Sequence, residues 1–316
     1  MTDTRGGDDF EALVAPLRRE LHAHCYRMLG SVHDADDALQ EALLGAWKGF
    51  AGFEGRSSLR SWLYTIATHA CLAFAAKRGR RLVPIDVQAS ADPGAPLDAY
   101  RDEPIWLEPY PDDPAAKLEE RERVELAFVA ALQHLPGNQR AMLLLCEVMD
   151  FEASEVAAMF DTTVASVNSA LQRARATVAQ RTPPRSQQAV LRDLGDAAQR
   201  ELVARYIDAW DRADATALVE LLRADVRFSM PPIPTWFAGR DDVGRFFAER
   251  VFATPWKLVP VAANGQLAFA CYQGPHFRLG AFNFITVSER AIVEICGFLD
   301  PAVHRRFSLP MTMIDR

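Results

Sequence analysis

Five cysteines are scattered over the 316 residues, Cys25, Cys71, Cys146, Cys271 and Cys296, and no two form a CxxC pair. An odd, dispersed set argues against both a disulfide framework and a zinc site. No metal and no cofactor is expected. The N-terminus, MTDTRGGDDF, is acidic and polar, unlike a signal peptide. Long apolar runs are missing too. The uncharged run from Ser61 to Ala76 is too short to span a bilayer, and the run from Leu258 to Phe277 is interrupted by Asn264, Gly265, Gln266, Gly274 and Pro275. The expectation is a cytoplasmic protein without membrane contact.

Acids are missing in two places. None occurs from Gly55 to Ile85, where Arg56, Arg60, Lys77, Arg78, Arg80 and Arg81 stand, and none from Thr162 to Arg192. Between them, from Asp86 to Ala116, eight acids face Arg101 alone. The net charge of −7 therefore hides a segregation that suits a polyanionic partner met by particular segments.

Half of the chain is apolar, and its length suggests two or three domains. Pro93, Pro96, Pro104, Pro109, Pro111 and Pro114 forbid a long helix in 86–117, which reads as an acidic, proline-rich linker. A second linker, 182–197, begins TPPRSQQ. The fold class expected is multidomain. Two all-α domains, 8–85 and 118–181, precede an α+β domain at 198–316. That last part opens on the amphipathic RELVARYIDAWDRAD and continues with the strand-like runs WKLVPVA, QLAFACYQG, AFNFITVS and AIVEICGFL.

DFEASEVAAMFDTTVASVNSALQRARATV fits helix, tight turn, helix. Asp161 stands at the turn, where it tolerates the left-handed region, and Thr163 is a good N-cap. The second helix is expected to bury Val164, Val167, Leu171, Ala174 and Val178. It would present Thr163, Ala165, Ser166, Asn168, Ser169, Gln172, Arg173 and Arg175 to DNA, small residues giving clearance in a groove. A solvated helix of a bundle is the competing reading.

Further upstream, HDADDALQEALLGAWKGF sets Asp37, Gln40, Glu41, Leu44 and Lys48 on one helical face, a candidate protein-docking stripe. In FEGRSSLRSWLYTIATHACLAFAAKRGRR, Trp62, Tyr64, Phe74 and His69 interleave with the basic residues. That mixture suits a single strand, with phosphates on Arg and Lys and bases on rings. A core helix with a basic outer end reads equally from the same residues.

The succession RMLGSVHDADDALQEALLGAW, SLRSWLYTIATHACL and LPGNQRAMLLLCEVMDFEASEVAAMF–TTVASVNSALQRAR resembles a bacterial sigma factor of the extracytoplasmic-function group over 10–181. The resemblance implies that sigma domain 2 docks on the β′ clamp helices of core RNA polymerase through Asp34, Asp37, Gln40, Glu41, Leu44 and Trp47. It implies −10 promoter contact by Arg56, Arg60, Trp62, Tyr64 and His69, with Lys77, Arg78, Arg80 and Arg81 on phosphates. Sigma domain 4 would read the −35 element. Asn168 and Ala170 stand where many relatives carry Lys and Arg. The acidic linker would enter polymerase channels by imitating nucleic acid; an ordinary flexible spacer is the alternative.

The last domain, 198–316, resembles the SnoaL-like branch of the NTF2 fold, in stretches such as VRFSMPPIPTWFAGRDDV. Its strand-like runs from Trp256 to Thr286 hold no acid for general-base work, which leaves Tyr272 and His276 as polar candidates. Phe228, Met230, Trp236, Phe237, Trp256, Phe269, Tyr272, Phe282 and Phe284 are expected as core or as an apolar pocket for a small ligand. The expected function is a non-enzymatic sigma factor, nucleoid-associated when in holoenzyme, whose last domain modulates activity by contact with the sigma domains. The alternatives are a one-component helix-turn-helix regulator with a ligand-binding cone, and an NTF2-like enzyme.

Overall fold

The computed structural model describes residues 10–101, 106–117, 119 and 123–313. Asp102, Glu103 and Pro104 of the linker, and the expected domain limits at 8 and 118, lie outside the described residues. The chain divides into two compact units. Residues up to 81 join 126–183, and residues 82–125 join those from 184 onward.

The first unit contains α1 (Arg18–Leu29), α2 (Val32–Gly49), α3 (Leu59–Arg78), α4 (Leu126–Gln133), α5 (Gly137–Glu147), α6 (Ala153–Met159) and α7 (Val164–Ala179). Helix α1 stops at Gly30, whose φ of +67° and N–H bond to the Tyr26 carbonyl close the last turn. Ser31 then starts α2 by accepting the Asp34 N–H, and Ser58 starts α3 by accepting that of Ser61. The inner face of α2 is Ala35, Ala38, Ala42 and Ala46, all buried. Short side chains at these helical spacings bring the neighbouring helices close.

The two helical segments expected as separate domains share one core. Arg140, 5% exposed, donates to the carbonyls of Met28, Gln133 and Leu135 and to Gln133 Oε1. These carbonyls lie at or just past the C-terminal ends of α1 and α4, where helix dipoles are negative. Burial lowers the Arg140 pKa to about 10, so it stays charged at neutral pH. Gly137 allows a close approach, since a Cβ there would meet Leu72 of α3 at 2.8 Å.

The helix-turn-helix is formed by α6 and α7. Asp161 takes φ +48°, and the Thr162 N–H returns to the Ala157 carbonyl. Helix α7 buries Val167, Ala170, Leu171 and Ala174. Val164 differs from expectation, being 43% exposed, and Val178 is half-buried. Val164 is the first helical residue, and Ala170 completes the inner stripe in its place.

The second unit is built on a six-stranded sheet of order β2-β1-β6-β5-β4-β3. Its strands are β1 (Leu222–Met230), β2 (Ile233–Ala238), β3 (Trp256–Ala263), β4 (Gln266–Gln273), β5 (Arg278–Ser288) and β6 (Ala291–Phe298). Strands β1 and β6 are parallel and the other pairs antiparallel. Helices α8 (Gln187–Asp211, broken at Gly195), α9 (Ala215–Glu220) and α10 (Arg240–Glu249) precede or join the strands, and α11 (Pro301–His304) follows them.

The nine residues expected as core or as an apolar pocket fall on both faces of the sheet. Phe269 pairs with Asn283, so Phe282 and Phe284 on either side of Asn283 point to the opposite face. Phe228, Met230, Phe237, Trp256 and Phe269 pack in one core with Tyr206, Trp210, Phe246 and Phe247. Ring centroids there are 4.3 Å apart for Phe237–Phe246 and 4.9 Å for Phe228–Phe247. On the other face Phe282 stacks on Phe307 at 4.2 Å and Phe284 meets Phe298 edge-on. The Tyr272 hydroxyl donates to the Pro310 carbonyl, and Trp236 Nε1 to the Gln88 carbonyl.

The acidic linker belongs to this second unit and is fastened to it. The Ala91 N–H bonds the Trp236 carbonyl, and Arg250 donates to the carbonyls of Gly94 and Ala95. Asp98 accepts from the Thr235 hydroxyl and the Gln88 amide, which hold its carboxyl below the usual range. At the β3–β4 turn, Asn264 exchanges bonds with the backbone of Tyr110, and its amide donates to the Val124 carbonyl. Asp112 accepts the Gly265 N–H. Glu125 caps α8 by accepting the N–H groups of Gln187 and Gln188.

Candidate nucleic-acid and polymerase interfaces

The docking stripe on α2 follows from its 3.6-residue period. With the alanines inward, Asp37, Gln40, Glu41, Leu44 and Trp47 are exposed together, Leu44 at 52% and Trp47 at 55%. Leu39, Gln40, Leu43, Leu44 and Trp47 line a groove of about 590 Å³ with Phe10, Glu11, Arg18 and Asp36. Apolar and charged side chains line it together, a mixture that suits an amphipathic helix. Asp34 is not part of this surface. It is 2% exposed and ion-paired with both Arg78 and Arg81. Its position in the first turn of α2 suits a carboxylate, and the two arginines neutralise it.

Of the residues expected at the −10 element, Arg78 and Arg81 are held by Asp34, and the others separate into three groups. Lys77 and Arg80 are exposed at the end of α3, and Arg80 donates to Nδ1 of His134 at 2.8 Å. Arg56 is exposed beside Glu54, while Trp62 packs against Phe53 with centroids 4.9 Å apart. Arg81 is a correction to the sequence reading: at 3% exposed and bound to Asp34, it presents no free guanidinium face to a phosphate. Its partner lies 47 residues upstream, beyond any local pattern.

Arg60, Tyr64 and His69 form the third group: the segment leading into the helix-turn-helix engages Arg60 and Tyr64, and the end of α6 engages His69, which stays exposed. Arg60 Nη1 donates to the Met149 carbonyl at 3.0 Å, and its guanidinium lies 4.6 Å from the centre of the Phe151 ring. Burial disfavours the Arg60 charge, but the Glu20 carboxylate more than offsets this, and its pKa is raised. The Tyr64 hydroxyl donates to Met149 Sδ, and its ring meets that of Phe151 edge-on at 5.3 Å. Burial pushes the Tyr64 phenol up. His69 Nε2 is 3.1 Å from the Met159 carbonyl, and its ring lies 5.8 Å from that of Phe160. Met149, Phe151 and Phe160 were not singled out from sequence as neighbours of these residues.

The α7 surface is open by contrast. Thr163, Ala165, Ser166, Asn168, Ser169, Gln172, Arg173 and Arg175 are all exposed. Thr163 accepts the Ser166 N–H at 3.2 Å, which fixes the first turn, and Arg175 pairs with Glu147. The sequence reading missed Val164 on this surface.

In the second unit, Tyr272 is committed to the C-terminal segment and His276 is exposed in the turn between β4 and β5. No cluster of His, Cys, Asp and Glu that could hold a metal occurs among the described residues, and no described helix is long and apolar enough to cross a membrane.

Family models match three stretches: Sigma-70 region 2 over 13–81, Sigma-70 region 4 over 125–178 and a SnoaL-like domain over 203–295. The chain is 41% identical to the ECF RNA polymerase sigma factor SigG of Mycobacterium tuberculosis, over 98% of its own length and 85% of that protein's. It is 32% identical to SigM of the same organism over 54% of this chain and 75% of SigM. The crystal structure of the M. tuberculosis sigma factor SigJ shares the fold, with a TM-score of 0.60 at 22% identity over 96% of this chain and 99% of SigJ. A helical unit that joins sigma regions 2 and 4, followed by a SnoaL-like sheet, belongs to the extracytoplasmic-function group of RNA polymerase sigma factors, and this chain is a member of that group.

Proposed function

We propose that the chain docks on core RNA polymerase through the α2 stripe, with Leu44 and Trp47 seated in an apolar site and Asp37, Gln40 and Glu41 around them. In this reading α7 reads the −35 element. Arg60, Tyr64 and His69 meet the −10 strand once the covering segment moves away, with Arg56, Trp62, Lys77 and Arg80 beside them. The observation that carries the docking is the exposure of two large apolar side chains on an otherwise acidic, amide-bearing face. The site of action is the cytoplasm, with the nucleoid as the place of the holoenzyme.

The SnoaL-like unit acts as a receptor for the linker. Asn264, Gly265, Trp236 and Arg250 hold a segment that the family fold threads between the two promoter-reading regions. A linker bound there is withheld from polymerase, so release of the linker is the regulated step.

Run-off transcription with purified core polymerase tests the reading. The chain should confer initiation on a promoter of its host, and Leu44→Arg should abolish this while leaving the melting temperature unchanged. Unchanged transcription by Leu44→Arg would remove the docking assignment. Alanine at Asn264 should raise transcription through release of the linker.

A further inference from the structure

Among the described residues of the first unit, the exposed large apolar side chains are Leu13, Leu44, Trp47 and Val164. Leu44 and Trp47 belong to the docking stripe. Val164 stands elsewhere, at the first residue of α7. The N-cap bond from the Ser166 N–H to Thr163 holds its backbone, and its branched side chain is stiff about χ1. Asn168, one turn further on, is exposed as well. At about 100° per residue the two lie roughly 40° apart around the axis and about 6 Å apart along it. The exposed Ala165, Ser166 and Ser169 beside them add little bulk.

In the major groove, a thymine presents a 5-methyl group to apolar contact, and adenine presents N6 and N7 to an Asn or Gln amide. Successive base pairs rise by about 3.4 Å, so residues about 6 Å apart can reach one pair or its near neighbours. The N-terminal residues of a recognition helix are the ones that meet base edges. We propose that Val164 and Asn168 form a combined reader of A·T pairs in the −35 element, with the valine methyls on a thymine 5-methyl and the Asn168 amide on an adenine. This rests on the assignment of α7 to the −35 element. It gives α7 base readout at two exposed positions of its first turns.

The test uses holoenzyme reconstituted with the full chain. Promoters are first selected from a library randomised over the −35 element. Thymines of the selected element are then replaced one at a time by deoxyuridine, which lacks only the methyl group. One uracil substitution should weaken wild-type binding about three- to fivefold, the effect of removing one methyl from an apolar contact. Val164→Ala should bind the two DNAs equally, and Asn168→Ala should lose the adenine preference in a repeated selection. Because Val164 is exposed, Val164→Ala is expected to melt as wild type. Selected elements without A·T pairs, or a thymine-to-uracil ratio that Val164→Ala leaves intact, would overturn the proposal. The underlying assignment fails separately: in that case scrambling the whole −35 element, and the pair Gln172→Ala with Arg173→Ala, would leave binding unchanged.

Discussion

The two surfaces of the first unit proposed to read DNA differ in what covers them. On α7 every side chain assigned to the −35 element is exposed. On α3, Arg60, Tyr64 and His69 are engaged by Met149, Phe151, Met159 and Phe160. A duplex element can be read by a helix that is already presented. A single strand needs rings and cations that would otherwise stand in water; here Tyr64 is buried, and the half-buried Arg60 and the exposed His69 are bonded to the chain itself. The covering contacts are the same kinds that bases would make: a cation over an aromatic ring, an edge-on ring pair and hydrogen bonds to carbonyl oxygens. Opening therefore exchanges one set of contacts for another, and its cost can be offset by the promoter.

Phe151→Ala should break this contrast most strongly. Phe151 is 6% exposed and touches both Arg60 and Tyr64. Truncation should cost about 3–5 kcal/mol of unfolding free energy in a denaturant titration. It should also raise the affinity of the free chain for a single-stranded −10 probe. Arg140→Met comes next. It leaves the Met28, Gln133 and Leu135 carbonyls without their donor, and a loss of roughly 2–3 kcal/mol is expected by the same titration. Faster amide exchange along α3 should accompany it.

Asn264→Ala sharpens the comparison from the second unit. Two side-chain bonds of Asn264 go with the substitution, one from the Tyr110 N–H and one to the Val124 carbonyl, so about 1–3 kcal/mol of local stability should be lost. Hydrogen exchange should quicken at Tyr110 and Asp112 and leave α2 unchanged. The smallest effect concerns acid. His24 is buried against Thr68 and Tyr64, and burial lowers its pKa from 6.5 to about 3. The unfolded chain takes up this proton near pH 6.5 and the folded chain does not. The stability from neutral His24 is therefore full above pH 6.5 and declines as the pH falls towards 3. Thermal melts between pH 7 and 5 should show a decline that His24→Gln lessens.

Much of the site was legible because helical period decides which side chains face outward. The stripe Asp37, Gln40, Glu41, Leu44 and the open face of α7 both follow from that period alone. Asp34 was misplaced because its partners Arg78 and Arg81 lie 44 and 47 residues away. The cover on Tyr64 depends on Met149, 85 residues away, and no local pattern announces it. Strands β3 to β6 were readable from their apolar runs. Strand β1 carries Arg223, Asp225 and Arg227, and β2 carries Pro234, which only an edge strand accommodates easily. The acids and prolines of the linker read as a segment that imitates nucleic acid, or as an ordinary spacer, and neither reading places it on the sheet. What fastens it is the turn at Asn264, whose φ of +50° sequence does not show.

The distance between α3 and α7 tests the central claim most directly. Spin labels at Ala73→Cys and Ala179→Cys, both exposed positions, would be compared in a chain whose half-buried Cys146 and Cys296 are replaced by Ser. A single short distance in the free chain, lengthening on assembly with core polymerase and promoter, is the predicted result. The same distance in both states would contradict the account, because Arg60, Tyr64 and His69 would then stay covered while the promoter is bound.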